Sequence, residues 1–227
     1  ITGLNTNGRR LKDPDFVKEL VAAGLDHVQI TLESHDSQIH DEMVGREGAW
    51  KDTVAGIQNA LASKLFVMTN TTLLKNNCIY LEDTLAFLAE LGIPTIGLNS
   101  LIYAGHGLST LNGVTEETLI PLAALAREKA EAAGQRLVWY TPTQYCQFNP
   151  IDLDLGVKGC TAALYSMCIE PDGSVIPCQS YYQSLGKLLE EPWDSIWNHE
   201  LALSLRERKN VPLVCNSCAL LQECGGG

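Results

Sequence analysis

For its first 140 residues the chain repeats one unit, a short β-rich run followed by a helical stretch, and this rhythm narrows the possible folds most. Ile1–Thr6 reads as a strand. Asp13-Pro14 then supplies a helix N-cap and a first helical position, and Phe16, Val17, Leu20 and Val21 form one apolar face before Gly24. His27–Leu32 is the next strand, with Val28, Ile30 and Leu32 on one side. A loop through Ser34–Gly48 leads to a helix carrying Trp50, Val54, Ile57 and Leu61. Phe66–Leu74, rich in β-branched residues, is the third strand, followed by a helix with Leu81, Leu85, Leu88 and Leu91 that Gly92 stops. Thr95–Ile102 is the fourth strand. A long helix after Thr115 ends before Gly134, Pro121 is expected to shift its start, and Arg136–Tyr140 is the fifth strand.

Strand–helix units of roughly 30 residues imply parallel strands joined by right-handed crossovers. That is a doubly wound sheet or a barrel, and the pattern alone does not choose between them. From about residue 141 the rhythm stops. Residues 142–158 read as a connector, and 159–227 as a cysteine-rich module of turns and short elements.

Hydrophobic residues make up 45% of the 227 residues and charged residues 19%, as in a globular chain. No apolar run is long enough to cross a bilayer and no signal peptide is visible. The formal net charge of -11 disfavours nucleic acid and anionic membranes as partners. Chain ends without an initiator Met and inside a cysteine motif read as cut.

Six of the eight cysteines (Cys160, Cys168, Cys178, Cys215, Cys218, Cys224) fall in the final 68 residues, whereas Cys78 and Cys146 stand alone as small buried hydrophobes. Such a cluster behind a long cysteine-poor region points to metal binding in a reducing, cytoplasmic setting and not to a disulfide scaffold. Ile169–Val175 reads as a hairpin with Pro171-Asp172-Gly173 at its tip, which lets Cys160 and Cys178 sit close together. Cys215-Asn-Ser-Cys218 puts two thiolates on one turn, a spacing shared by zinc and iron–sulfur sites. Cys168 is either a further ligand or part of the hairpin core.

The run Cys160-x12-Gly173-x4-Cys178, then Cys215-x2-Cys218-x5-Cys224-Gly-Gly-Gly, resembles the SPASM or Twitch extension of radical S-adenosylmethionine (SAM) enzymes. Leu185-Gly186, Trp193, Ile196-Trp197 and Leu205-Arg206 extend the resemblance, with Lys187 where the family usually has Asn. The earlier part is similar too. Thr6-Asn7-Gly8 resembles the end of the third barrel strand of that family, and Val28-Gln-Ile-Thr-Leu-Glu33 the fourth. His40-Asp41, Gly45 and Gly48-Ala-Trp50 resemble the stretch lying over bound SAM. Many relatives place an arginine before the first of those glycines, against the SAM carboxylate. Val44 stands there, and Arg46 is either its substitute or a solvated loop residue.

The resemblance implies an α/β fold, a partial (β/α)6 TIM-like barrel from its third strand onward (residues 1–141) with a small SPASM/Twitch module behind it. It implies SAM at the C-terminal strand ends. Asn7, Thr31, Glu33 and Asn70 either line that pocket or act as polar caps of strands and turns, and Tyr103 and Gly105 would end the last barrel strand near the adenine. One [4Fe-4S] cluster would take Cys160, Cys178, Cys215 and Cys218; with two, Cys215, Cys218 and Cys224 would belong to the second. The family's Cys-x3-Cys-x2-Cys and Gly-Gly-Glu stretches are absent, so the reading is a fragment, inactive alone, whose missing N-terminal part holds the catalytic [4Fe-4S] cluster that cleaves SAM to a 5′-deoxyadenosyl radical. The implied substrate is a peptide, a protein or a tetrapyrrole, with somewhat more likeness to the haem-precursor branch, and the implied electron donor is a ferredoxin or flavodoxin. Four thiolates in two pairs also suit Zn²⁺, which leaves a non-catalytic zinc module on an α/β scaffold as the alternative. An ordinary metabolic enzyme fits poorly, because His27, His35, His40, His106 and His199 stand scattered without partners.

Overall fold

The structure, a computed structural model, describes residues 1–226. It divides into two compact units: Ile1–Leu101, Leu111–Thr141 and Asp152–Leu155 form the first, and Ile102–Thr110, Pro142–Ile151 and the chain from Gly156 onward form the second.

In the first unit the strands Gly3–Thr6 (β1), His27–Thr31 (β2), Phe66–Leu73 (β3), Thr95–Ser100 (β4) and Arg136–Trp139 (β5) build one parallel sheet in the order β1-β2-β3-β4-β5. The helices Pro14–Ala22 (α1), Ser37–Val44 (α2), Ala49–Leu61 (α3), Leu81–Glu90 (α4) and Glu116–Ala132 (α5) fall between strands. Successive side chains on a strand point to opposite faces. Val28, Ile30, Val67, Ile96, Leu98 and Trp139 are buried on one of those faces, and α3 packs on β2 and β3 while α5 packs on β5. Each such aliphatic side chain contributes roughly 1.5–3 kcal/mol by leaving water.

Parallel register then decides what shares the other face. Thr31 pairs with Asn70, Asn70 with Gly97, and Gly97 with Val138, so these residues form one row near the C-terminal strand ends.

Local chemistry explains the helix starts. The Asp13 carboxylate accepts the Asp15 N–H at 3.0 Å, with Pro14 as the first helical residue of α1. Asp36 does the same for α2, accepting from Gln38 at 2.8 Å and Ile39 at 3.0 Å. That helix replaces the loop expected over Ser34–Gly48. It was hidden because it is only eight residues long and its one buried residue is His40, not an aliphatic side chain; the Asp36 cap and Gly45 in left-handed conformation (φ +68°) delimit it.

Two further expectations are corrected. Pro121 does not shift the start of α5: the helix begins at Glu116, its first turn already closed by the N–H groups of Thr118 and Leu119 on Thr115 O, and runs through the proline. β4 stops at Ser100, so Tyr103 and Gly105 do not end a barrel strand. Tyr103 is exposed and Gly105 opens a short 3₁₀ turn, Gly105–Leu108.

In the second unit, Cys168–Ile169 (β6), Ser174–Ile176 (β7) and Gly186–Lys187 (β8) form an antiparallel sheet in that order. Cys168 pairs with Ile176 and Ile169 with Val175, which closes the expected hairpin over Asp172-Gly173. Short helices follow at Trp193–Trp197 (α6), Glu200–Arg206 (α7) and Leu221–Cys224 (α8). Ala163, Val175, Leu185, Ile196 and Ala202 make its core. The Lys187 ammonium reaches the Asp172 carboxylate at 2.6 Å, so the residue that departs from the usual Asn ties the hairpin tip to β8. Among the described residues, no helix is long and apolar enough to cross a membrane.

Candidate strand-end site and metal centre

The first unit collects polar groups where β2, β3 and β4 end. Asn70 is almost fully buried, and its side-chain oxygen has no hydrogen-bond partner; the Asn99 side-chain oxygen on β4 is likewise enclosed and unpartnered. A Cβ at Gly97 would stand 2.7 Å from Tyr140 Cε2 and 3.0 Å from Asn70 Oδ1, so only glycine lets those two side chains close over the strand there. Enclosed acceptors without partners leave hydrogen-bonding capacity that a polar ligand carrying donors would use. Thr31 is half-buried in the same row, whereas Asn7 is exposed and turns its Oδ1 to the Arg9 N–H at 3.2 Å.

Just past β2, the Glu33 carboxylate accepts the Thr72 N–H at 2.8 Å. Burial pushes this carboxyl up to about 7, against the lowering effect of that N–H. The backbone N–H of Glu33 donates to His40 Nδ1 at 3.1 Å. Burial holds the His40 imidazole below its ordinary range, with Asp41 opposing. Asn77 completes the cluster: its Nδ2 donates to Glu33 O at 2.7 Å and Thr72 O at 2.9 Å, while its Oδ1 accepts from Leu74 at 2.8 Å. The histidines are thus less isolated than the sequence suggested, since His40 binds the Glu33 amide and His199 caps α7 through the Leu201 N–H. Nothing in the sequence pattern marks Asn77, whose bond to Glu33 O reaches across 44 positions while the other two stay within the turn at the end of β3.

Asp41 has a further part. Its carboxylate accepts the Gly48 N–H at 2.5 Å and the Trp50 N–H at 2.7 Å, capping α3 from a different helix. Gly48, in left-handed conformation, has no side chain to do this. Arg46 lies exposed in the turn between α2 and α3.

In the second unit all the expected cysteine ligands are free thiols. Cys215 and Cys218 share one turn, closed by the Cys218 N–H on Cys215 O at 3.0 Å. The Ala163 N–H bonds Pro177 O at 3.0 Å, which brings the segments carrying Cys160 and Cys178 side by side. The Ser180 N–H lies 3.3 Å from Cys178 Sγ, a contact that would stabilise a thiolate there. Burial raises the Cys168 thiol, with Cys178 and Glu170 adding to it. Cys224 is buried, its Sγ 3.6 Å from Thr143 O. Among the described residues, no three Cys, His, Asp or Glu side chains converge as they stand into a metal-holding group. The fit to an iron–sulfur cluster therefore rests on the donor set: free thiols paired on turns, with an amide N–H directed at one sulfur.

Comparison with known proteins agrees with this division. Residues 1–88 match the radical SAM superfamily, and residues 160–219 match the iron–sulfur cluster-binding SPASM domain. The chain is 25% identical over 246 aligned positions to AdoMet-dependent heme synthase of Methanosarcina barkeri, covering 98% of this chain and 68% of that protein. It is 25% identical over 232 positions to PqqA peptide cyclase of Ruegeria pomeroyi, covering 96% of this chain and 59% of the relative. Streptococcus suis SuiB, solved bound to S-adenosylmethionine, shares the fold with a TM-score of 0.80 at 17% identity, over 100% of this chain and 55% of SuiB. The chain thus spans little more than half to two thirds of the proteins it matches. By the two matched regions, it belongs to the radical SAM superfamily, in the group that carries a SPASM iron–sulfur domain.

Proposed function

We propose that residues 1–227 form the SAM-pocket and auxiliary-cluster portion of a radical SAM enzyme that modifies a peptide or a tetrapyrrole-type substrate, with an electron donor of the ferredoxin or flavodoxin kind in a reducing cytoplasm. The observation that carries this reading is the two enclosed, unpartnered acceptors on one face of the sheet near the strand ends, Asn70 Oδ1 and Asn99 Oδ1, the first of them within the region matching the radical SAM superfamily.

When bound, SAM and a reduced cluster supply hydrogen abstraction by a carbon radical. This chain's residues bind and orient. Asn70 and Asn99 would accept hydrogen bonds from the polar groups of SAM, Thr31 would line the same row, and Glu33 would hold a proton beside it near neutrality. Asn7, Arg46 and Tyr103 are proposed as outer contacts. Cys160, Cys178, Cys215 and Cys218 would ligate one cluster; Cys215, Cys218 and Cys224 would serve a second where there are two, with Cys168 beside the first. A Cys-x3-Cys-x2-Cys motif is not among these residues, so no SAM cleavage is assigned to them. The two substrate classes follow the relatives, one a heme synthase and one a peptide cyclase.

Anaerobic reconstitution with iron and sulfide, followed by SAM titration in a calorimeter, tests the reading. Brown protein with a broad band near about 400 nm and saturable SAM binding, weakened at least tenfold by Asn70→Ala, supports it. Colourless protein holding stoichiometric zinc after iron reconstitution would support the zinc module instead.

A further inference from the structure

Arg208 closes α7 in a way that leaves its side chain committed to one place. Its N–H donates to Leu205 O at 3.1 Å and the Lys209 N–H donates to Ser204 O at 3.0 Å, the paired bonds of a Schellman helix end. Glycine is the unstrained residue at that position, yet Arg208 occupies it with φ +55°. Nη2 donates to Gln222 O at 2.6 Å, beside the start of α8, while Nη1 is buried without a partner. A guanidinium is always charged and has no acceptor of its own, so an enclosed, unused N–H asks for an anion or an acceptor nearby.

What borders it is a cavity of about 190 Å³ whose lining includes Cys160, Arg206, Arg208, Asn210 and Gly225. A Cβ on Gly225 would lie 3.6 Å from the Cys160 amide nitrogen and 3.8 Å from the Arg208 guanidinium carbon, so both flank one point in space. Arg206, the other arginine there, is already occupied: its Nε donates to Ala202 O at 3.2 Å, a terminal nitrogen donates to Trp197 O, and its guanidinium stacks 4.2 Å from the Trp197 ring.

We infer that Arg208 is a positioning residue for the iron–sulfur cluster held on Cys160, placing a partly buried positive charge beside it that favours its reduced state. This rests on the role proposed above for Cys160. A thiolate-ligated cluster is anionic and gains one more negative charge when it takes one electron, and in a cavity partly withdrawn from solvent a neighbouring cation is screened less than in bulk water. Removing the charge makes the reduced state less favourable.

The test is an anaerobic dithionite titration of the reconstituted protein, which supplies the electron, followed by electron paramagnetic resonance, with iron and sulfide assayed separately. Arg208→Gln with full iron content is expected to weaken the reduction equilibrium at least tenfold, a 59 mV lower potential for a one-electron couple. Lys209→Gln, one residue on, is expected to leave it unchanged. A shift under threefold in Arg208→Gln with iron retained overturns the inference, as does an equal shift in Lys209→Gln. If Arg208→Gln loses iron, Arg208→Lys decides: iron and the parental potential retained supports a charge effect, whereas iron lost or a tenfold shift there overturns it. Parent protein without iron, or Cys160→Ser with full iron and unaltered spectra, fails at the ligand assignment instead, before Arg208 is reached.

Discussion

Glu33 and Thr72 meet at the ends of neighbouring parallel strands, the Thr72 N–H donating to the Glu33 carboxylate at 2.8 Å. One hydrogen bond does not offset the loss of water, and the carboxyl sits at about 7 although the residue as a whole keeps some exposure. A carboxyl raised in the fold above its unfolded value binds a proton that the unfolded chain has released. Folding stability from this group is therefore full below the unfolded pKa of 4.5 and declines as pH rises towards 7. Glu33→Gln should match the parent near the acid end and exceed it above neutrality by about 1–3 kcal/mol, read by urea unfolding at both ends of that window. Equal stability differences at both pH values would show an ionised, well-solvated Glu33.

Asp41 caps a helix that is not its own, so its loss should loosen α3 and the turn holding Arg46. Asp41→Ala is expected to cost about 1–2 kcal/mol, and Asp41→Asn less, since an amide oxygen still accepts. Thermal unfolding of the two variants checks the order.

Gly56 on α3 faces the turn after β1 so closely that an added Cβ would fall 2.2 Å from Gly8 O, a backbone atom that cannot swing aside. Gly45 has open space around it and only its left-handed backbone to protect. Gly56→Ala should therefore destabilise by at least about 2–3 kcal/mol, and Gly45→Ala by about 1 kcal/mol. Denaturant midpoints would reverse that order if α3 can slide away from the turn.

Serine at Cys160, Cys178, Cys215 or Cys218 should lower the iron bound after reconstitution by more than half. Cys78→Ser and Cys146→Ser should not, because Cys78 packs as expected in a 3₁₀ turn of the first unit, and Cys146, expected as a buried hydrophobe, is instead exposed and lies outside the paired turns. Iron analysis per chain separates the two groups, and full iron in Cys215→Ser would remove the CxxC turn from the ligand set.

Much of this was legible in the sequence by itself. The strands announced themselves through period-two patterns such as Val28, Ile30 and Leu32, and the helices through Asp13-Pro14 and the Leu81–Leu88 spacing, because these are local signals that the backbone obeys before any tertiary contact forms. The hairpin over Pro171-Asp172-Gly173 was equally local. Tertiary structure decided what reaches across the chain. It made α2 a helix around a buried His40, gave the α3 cap to Asp41, joined Glu33 to Thr72 and Asn77, and left one nitrogen of Arg208 without a partner next to the cavity that Cys160 lines. Hydrogen bonds that reach from one element to another carry no periodicity and no fixed spacing. They exist only once parallel register and helix packing have set the distances.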